Sequence, residues 1–255
     1  MELAPEIVAQ QPYRGRFDWG RDGVHRAAAR GDIVVVVDTL RFSTAAITAI
    51  EHGAVIYPCA PTDDPDAIAQ RVGAEVAAYR GDILATHPYS LSPDSYNGVL
   101  PGTRIVLPSP NGAACSRYGR EVPYLFVGAL VNAAAVSGAV STVLSRSDGA
   151  VTVIACGERW QEPGEDGALR VAIEDYLGAG AILSYLSFDK SPEARVCEGA
   201  FCGVQGQLRD LLQSSISGRE LRQKGWGNDV EHAAQLNIHD IVPVMRQERL
   251  EPFYP

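Results

Sequence analysis

The chain has 255 residues, long enough for one large domain with a substantial buried core, and its formal net charge of -9 with no concentrated basic patch argues against nucleic acid as a partner. Its hydrophobic fraction of 46% and its ordinary glycine content exclude a disordered or fibrous chain. The 5 cysteines are scattered without a C-x-x-C pair, which excludes a zinc ribbon or a thioredoxin-like motif and leaves the reduced thiols of a cytoplasmic protein as the expectation.

From the N-terminus, which lacks the basic-then-apolar layout of a secretory signal, the first strong element is the apolar run 33–37. It is expected to be a strand, running into Asp38-Thr39-Leu40-Arg41 and then a helix over 43–51 that stops at Gly53. A strand over 55–58 follows, and Asp64 with Pro65 supplies a cap and a first-turn residue for the next helix. The run 104–107 repeats the strand pattern, passing into Ser109-Pro110-Asn111-Gly112 and a short helix. Residues 124–145 are uncharged and raise the question of a membrane span. Small and polar residues dilute them, however, and Gly128 divides them into a strand over 124–127 and a small-residue helix, so they read as buried core with no membrane contact. A third strand over 151–155 runs into Cys156-Gly157-Glu158-Arg159, with a long helix expected over 168–186. Residues 191–235 read as mostly helical, broken around Gly225-Trp226-Gly227, and a last strand is expected over 241–245.

Strands that are apolar without alternation are buried on both faces. The expected fold is therefore a three-layer α/β domain, a largely parallel or mixed central sheet with helices on both faces, with residues 1–255 as one unit and a core of about 30–245. In such sheets ligands bind beyond the carboxyl ends of the strands. The three polar loops are thus expected to converge on one cleft.

Several residues in those loops carry chemistry. Asp38 surfaces from a buried strand, rigidly held, where a carboxylate can bind metal, attack phosphorus, or simply cap the helix. Haloacid dehalogenase phosphatases need a second acid two positions on, where this chain has Leu40. Arg41 offers a fork for phosphate, carboxylate or sulfonate, or else a surface ion pair. Ser43 and Thr44 cap the helix or present hydroxyls to an anion. Ser109, Asn111 and Gly112 make a plain turn or an anion-binding one, and the loop does not match a P-loop. Glu158 is a candidate metal ligand or base, whereas Cys156 reads as an inert buried thiol. Glu174 and Asp175 lie on one helix but about 100° apart, so they need not share a site. The run Gly178-Ala179-Gly180 after them suggests close helix packing. Asp229 reads most simply as a helix cap, and the 5 histidines show no metal-site spacing.

Taken in order, these segments resemble the 2-phosphosulfolactate phosphatase family. Asp38-Thr39-Leu40-Arg41-Phe42-Ser43-Thr44 looks like its D-x-x-R-A-[ST]-[ST] segment, and Ser109-Pro110-Asn111-Gly112 is similar to its S-x-N-G loop. Cys156-Gly157-Glu158 and the run from Glu174-Asp175 to Gly178-Ala179-Gly180 resemble two further blocks, and Gly227-Asn228-Asp229-Val230 with Ile241-Val242-Pro243 resembles the closing signature. The resemblance implies a magnesium-dependent phosphatase that converts 2-phosphosulfolactate to sulfolactate on the way to coenzyme M. It also implies site roles for Asp38, Arg41, Asn111, Glu158, Glu174, Asp175 and Asp229, with magnesium held by Asp38 and some of Glu158, Glu174, Asp175 and Asp229. Phe42, Thr39, Ala233 and Asn237 depart from the usual family residues, which bears on metal affinity and substrate choice.

The expected partner is a small phosphorylated acid. Rival readings are a phosphatase for another phosphorylated hydroxy acid and a noncatalytic anion-binding protein on the same fold. No dinucleotide G-x-G-x-x-G follows any expected strand, and small-residue helices offer a face for a homo-oligomer.

Overall fold

A computed structural model describes residues 5–78, 88–160 and 167–254. In chain order the elements are α1 (Pro5–Val8), β1 (Gly15–Trp19), α2 (Gly20–Arg30), β2 (Ile33–Val37), α3 (Phe42–Glu51), β3 (Val55–Cys59), α4 (Pro65–Val72) and β4 (Glu75–Val76). The middle of the chain gives β5 (Arg104–Pro108), α5 (Gly112–Tyr118), β6 (Leu125–Gly128), α6 (Ala133–Leu144), β7 (Val151–Ala155), β8 (Glu158–Arg159) and β9 (Leu169–Arg170). The remainder is α7 (Ile173–Ser184), α8 (Pro192–Val204), α9 (Leu208–Ser214), α10 (Ile216–Gln223), α11 (Gly227–Ala233), β10 (Pro243–Arg246) and β11 (Arg249–Pro252).

Among the described residues nine strands form one mixed sheet in the order β1-β7-β2-β6-β10-β11-β3-β5-β4. The valine run of β2 shows why it lies between two helical layers. Side chains alternate across a strand, so Val35 and Val37 enter one core with residues of α6, α7 and α8. Val34 and Val36 enter the other, with residues of α2, α3 and α5. The three-layer expectation therefore holds. Among the described residues no helix is long and apolar enough to cross a membrane, and 124–145 divides into β6 and α6 as its small residues suggest.

The sheet consists of two parallel blocks running in opposite directions. β1, β7, β2 and β6 are parallel to one another, as are β3, β5 and β4. The hairpin β10–β11 joins the blocks, β10 antiparallel to β6 and β11 antiparallel to β3. Opposed blocks would send their carboxyl ends to opposite edges if the sheet were flat. Five strand steps separate β2 from β5, and a twist of about 20–25° per step rotates them by about 100–125°. One apolar cluster draws on β2, β3, β5, β6, β7, β10 and β11 together with α3 and α5, so the sheet curls round those helices. The loop after β5 thereby meets the loop after β2.

Several elements differ from expectation, α1, α2 and β4 among them. The helix expected over 168–186 begins only at Ile173, because Leu169 and Arg170 instead pair with Arg159 and Glu158 in a short ladder. β1 was not anticipated, yet it forms an edge of the sheet and pairs with β7 through the whole of its length. The last strand is half of a hairpin at the centre of the sheet.

α7 presses closely on the end of β2. A Cβ at Gly178 would stand 2.6 Å from Thr39 Oγ1 and 2.9 Å from Val37 Cγ1. Gly178→Val should cost about 1–3 kcal/mol by overpacking, read as a lower urea midpoint. An unchanged midpoint would show that α7 does not need this close approach.

Candidate functional site

The turn after β2 sets the first wall. The Ser43 hydroxyl accepts the Asp38 N–H at 2.9 Å, and the Thr44 hydroxyl donates to the Thr39 carbonyl at 2.8 Å. Both residues are buried and absent from the cleft lining, so these expected substrate contacts are spent on holding the strand-to-helix turn. Asp38 is aimed by backbone donors: the Gly112 N–H reaches its Oδ2 at 2.7 Å and the Phe42 N–H its Oδ1 at 3.3 Å. The Ser109 hydroxyl adds a longer contact of 3.4 Å to Oδ2. Only glycine fits at 112, since a Cβ there would lie 2.7 Å from Asp38 Oδ2 and collide with the Phe42 ring. The amides expected to cradle an anion are used internally, for the Asn111 N–H donates to Ser109 Oγ.

The second and third loops join this frame. Asn111 Nδ2 donates to Glu158 Oε2 at 2.8 Å, linking the loop after β5 to β8. Asp175, at the start of α7, accepts the Thr39 N–H at 2.7 Å and the Gly157 N–H at 2.9 Å. One carboxylate thus ties the end of β2 to the end of β7. Glu174 is buried beside it, hydrogen-bonded by Ser217 of α10 and influenced by Arg170.

Arg41 and Asp229 meet in a buried ion pair of 2.5 Å. Asp229 also accepts the Ser92 hydroxyl at 2.6 Å, and the Arg41 guanidinium lies over the Trp226 ring at 4.9 Å. Asp229, expected among the metal-binding acids, is therefore engaged in fixing Arg41. Since Ser92 and Trp226 come from distant segments, neither partner was visible beforehand.

A cleft of about 990 Å³ opens over these groups. Asp38, Asn111 and Glu158 line it, and Arg41, Arg159, Arg170 and Lys224 bring positive charge to the same lining. Arg170 and Lys224 were missed by the sequence reading, Arg170 because it was assigned to a helix rather than to β9. His25, His52, His232 and His239 do not line the cleft, and His87 lies outside the described residues.

The carboxylates are in electrostatic conflict. Burial, reinforced by the Asp38 charge, pushes Glu158 up to about 7. Burial also raises Asp38, against the pull of its backbone donors and Arg41. Asp175 is raised well above the usual range by burial and then by repulsion from Asp38 and Glu174, and Glu174 is raised by burial and by Asp38. Four acids in one buried site do not all ionise without a compensating cation.

The donors fit a hard cation. They are all oxygen, and beside Glu158 the Asn111 Oδ1 is buried without a hydrogen-bond partner among the described residues. Among the described residues no group of three or more His, Cys, Asp or Glu side chains is placed to hold a metal ion. Magnesium does not require such a group, because it commonly takes one or two carboxylates, waters and substrate phosphate oxygens.

Comparison with known proteins gives a consistent picture. Residues 21–248 match the profile of the family described as 2-phosphosulpholactate phosphatase. A Carboxydothermus hydrogenoformans protein named "probable 2-phosphosulfolactate phosphatase" is 30% identical over 222 residues, covering 84% of this chain and 87% of the relative. A Deinococcus radiodurans protein of the same name is 30% identical over 227 residues, covering 84% and 88%. The Methanothermobacter thermautotrophicus protein named "2-phosphosulfolactate phosphatase" is 28% identical over 226 residues, covering 86% and 89%.

The raised Glu158 has a consequence for stability. Between its ordinary 4.5 and about 7 the folded chain keeps a proton that the unfolded chain releases. Stability is therefore greatest below that window and falls as pH rises through it, by about 3 kcal/mol once above about 7. Glu158→Gln should flatten this part of the melting temperature against pH profile, whereas a parallel profile in the variant would place the conflict elsewhere.

Proposed function

The chain belongs to the 2-phosphosulpholactate phosphatase family, and from that membership we propose that it is a phosphoric monoester hydrolase acting on a small 2-hydroxy acid ester, 2-phosphosulfolactate to sulfolactate, with magnesium. The observation that carries this reading is the meeting of opposite charges in one cleft: carboxylates Asp38 and Glu158 line it together with Arg41 and further cations. An anion binder gains nothing from crowded carboxylates, whereas a site for a metal and a phosphate needs both signs of charge. The proposal extends to related phosphorylated hydroxy acids as substrates and to a cytoplasmic place in coenzyme M formation.

Asp38 and Glu158, the cleft-facing acids, would hold magnesium with the Asn111 carbonyl oxygen beside them, Glu174 and Asp175 adding negative charge behind. Bound there, the ion supplies charge neutralisation and polarisation of the phosphoryl group. Arg41 binds phosphoryl oxygens and stabilises their charge as the ester bond breaks. Its usefulness depends on Asp229 and Trp226, which fix the guanidinium and limit the ordering left for binding. Asp38 serves the reaction either as a metal-holding group or as the attacking carboxylate. Stereochemistry at phosphorus separates these roles, since attack by Asp38 requires two in-line displacements and gives retention, whereas direct attack by water gives inversion.

Phosphate release from 2-phosphosulfolactate and 2-phospholactate should require magnesium and stop with chelator. Asp38→Asn should lower kcat by about 1000-fold or more. No release from any such ester by folded, magnesium-supplied protein would overturn the proposal. Asp229→Asn should act through Arg41, raising KM about tenfold with a smaller effect on kcat. A loss confined to kcat would instead put Asp229 at the reacting centre.

A further inference from the structure

We propose that Arg170, assisted by Arg159 and Lys224, forms a second acid-binding subsite that recognises a carboxylate or sulfonate on the substrate, apart from the phosphoryl seat at Arg41. This inference rests on the phosphatase reading above and adds to it which residues select the substrate.

The cleft contains two guanidinium groups in matching settings. Arg41 lies over Trp226 at 4.9 Å, and Arg170 lies over Trp160 at 5.8 Å. Their side chains are equally enclosed, each 9% exposed. Their ion pairs differ sharply. Arg41 meets the buried Asp229 at 2.5 Å, whereas Arg170 reaches Glu220 at 3.5 Å, and Glu220 is 52% exposed. A guanidinium presents five donors in a planar fork. The half-exposed Glu220, itself on the cleft lining, makes one long contact and leaves most of Arg170's capacity for a ligand, in an enclosed place where the interaction is little screened.

The two arginines also lie beside different acids, Arg41 in the turn that follows Asp38 and Arg170 paired with Glu158 across the β8–β9 ladder. Arg41 is the cation felt by Asp38, whereas Arg170 is felt by Glu158 and Glu174. Asn111 bridges from the loop beside Asp38 to Glu158. A substrate with phosphate at the Arg41 end can therefore extend a second acid towards Arg170. Arg159 and Lys224 line the same cleft, and Arg159 Nε is buried without an acceptor among the described residues. Trp160, Ile216 and Leu221 complete the wall with apolar surface suited to a short carbon skeleton.

Esters differing only in the second acid provide the test: isopropyl phosphate, 2-phospholactate with an added carboxylate, and 1-sulfopropan-2-yl phosphate with an added sulfonate. Wild type should favour at least one acid-bearing ester, the winner identifying the group read. Arg170→Gln should lose about 30-fold in kcat/KM on that ester and less than about threefold on isopropyl phosphate. Lys224→Gln, at an exposed position, should lose severalfold with the same selectivity and carries the test if the Arg170 variant does not fold. Equal losses on all esters, or a wild type indifferent to the second acid, would overturn the subsite. Calorimetric titration with sulfoacetate and malonate gives a readout independent of turnover. Arg170→Gln should weaken the better of these by about 30-fold while sparing inorganic phosphate, and unchanged binding would overturn the proposal. Failure of wild type to hydrolyse every ester would instead strike the phosphatase reading, leaving the binding titration to decide the subsite.

Discussion

Asp38, Glu158, Glu174 and Asp175 crowd four acids into one largely buried site, and much of the surrounding structure holds them there against their mutual repulsion. The backbone provides the restraint. Asp38 accepts N–H groups from Gly112 and Phe42, and Asp175 accepts those of Thr39 and Gly157. These bonds aim the carboxylates more firmly than flexible side chains would, but they do not remove the cost of burial, so the acids are held above their ordinary range. Such a site stores unfavourable charge that a cation can relieve, and this links the architecture to metal-assisted phosphate chemistry.

The same bonds explain the shape of the sheet. Asp38 follows β2, Gly112 follows β5, and Gly157 follows β7, although β5 belongs to the block that runs opposite to the other two. Twist and curling bring the three loops together, and the β10–β11 hairpin closes the gap between the blocks. Asp175 then joins two of the loops from above. Glycines at 112 and 178 permit the close approaches that larger side chains would prevent. Removing either contact would disturb the acid cluster as well as local packing.

The parts of this arrangement that depend on local pattern were legible in the sequence. Apolar runs into polar loops located β2, β5 and β7, and thereby identified Asp38, Asn111 and Glu158 as neighbours before any coordinates. Glu174 and Asp175 also fall beside the site, although their separate tasks were hidden by their adjacency on one helix. What depends on distant pairing was not legible. The two-residue ladder that carries Arg170 has no periodicity to detect, and the match of Arg41 with Asp229 joins residues 188 apart. Ser43 and Thr44 show the converse problem, since small hydroxyl residues after a strand serve an anion site or a turn equally well, and here they hold the turn.

The arginines complete the charge balance from the other side of the cleft. Arg41 is already matched by a buried carboxylate, so it acts as a fixed element, while Arg170 keeps capacity for an arriving acid. Burial makes the acid cluster hold protons that a bound cation would displace. The most direct test is the number of protons released when magnesium binds near pH 6.5, measured by calorimetry in buffers of different ionisation enthalpy. The account predicts release of a substantial fraction of a proton, reduced in Glu158→Gln. Magnesium binding without proton release, or with the same release in the variant, would contradict it.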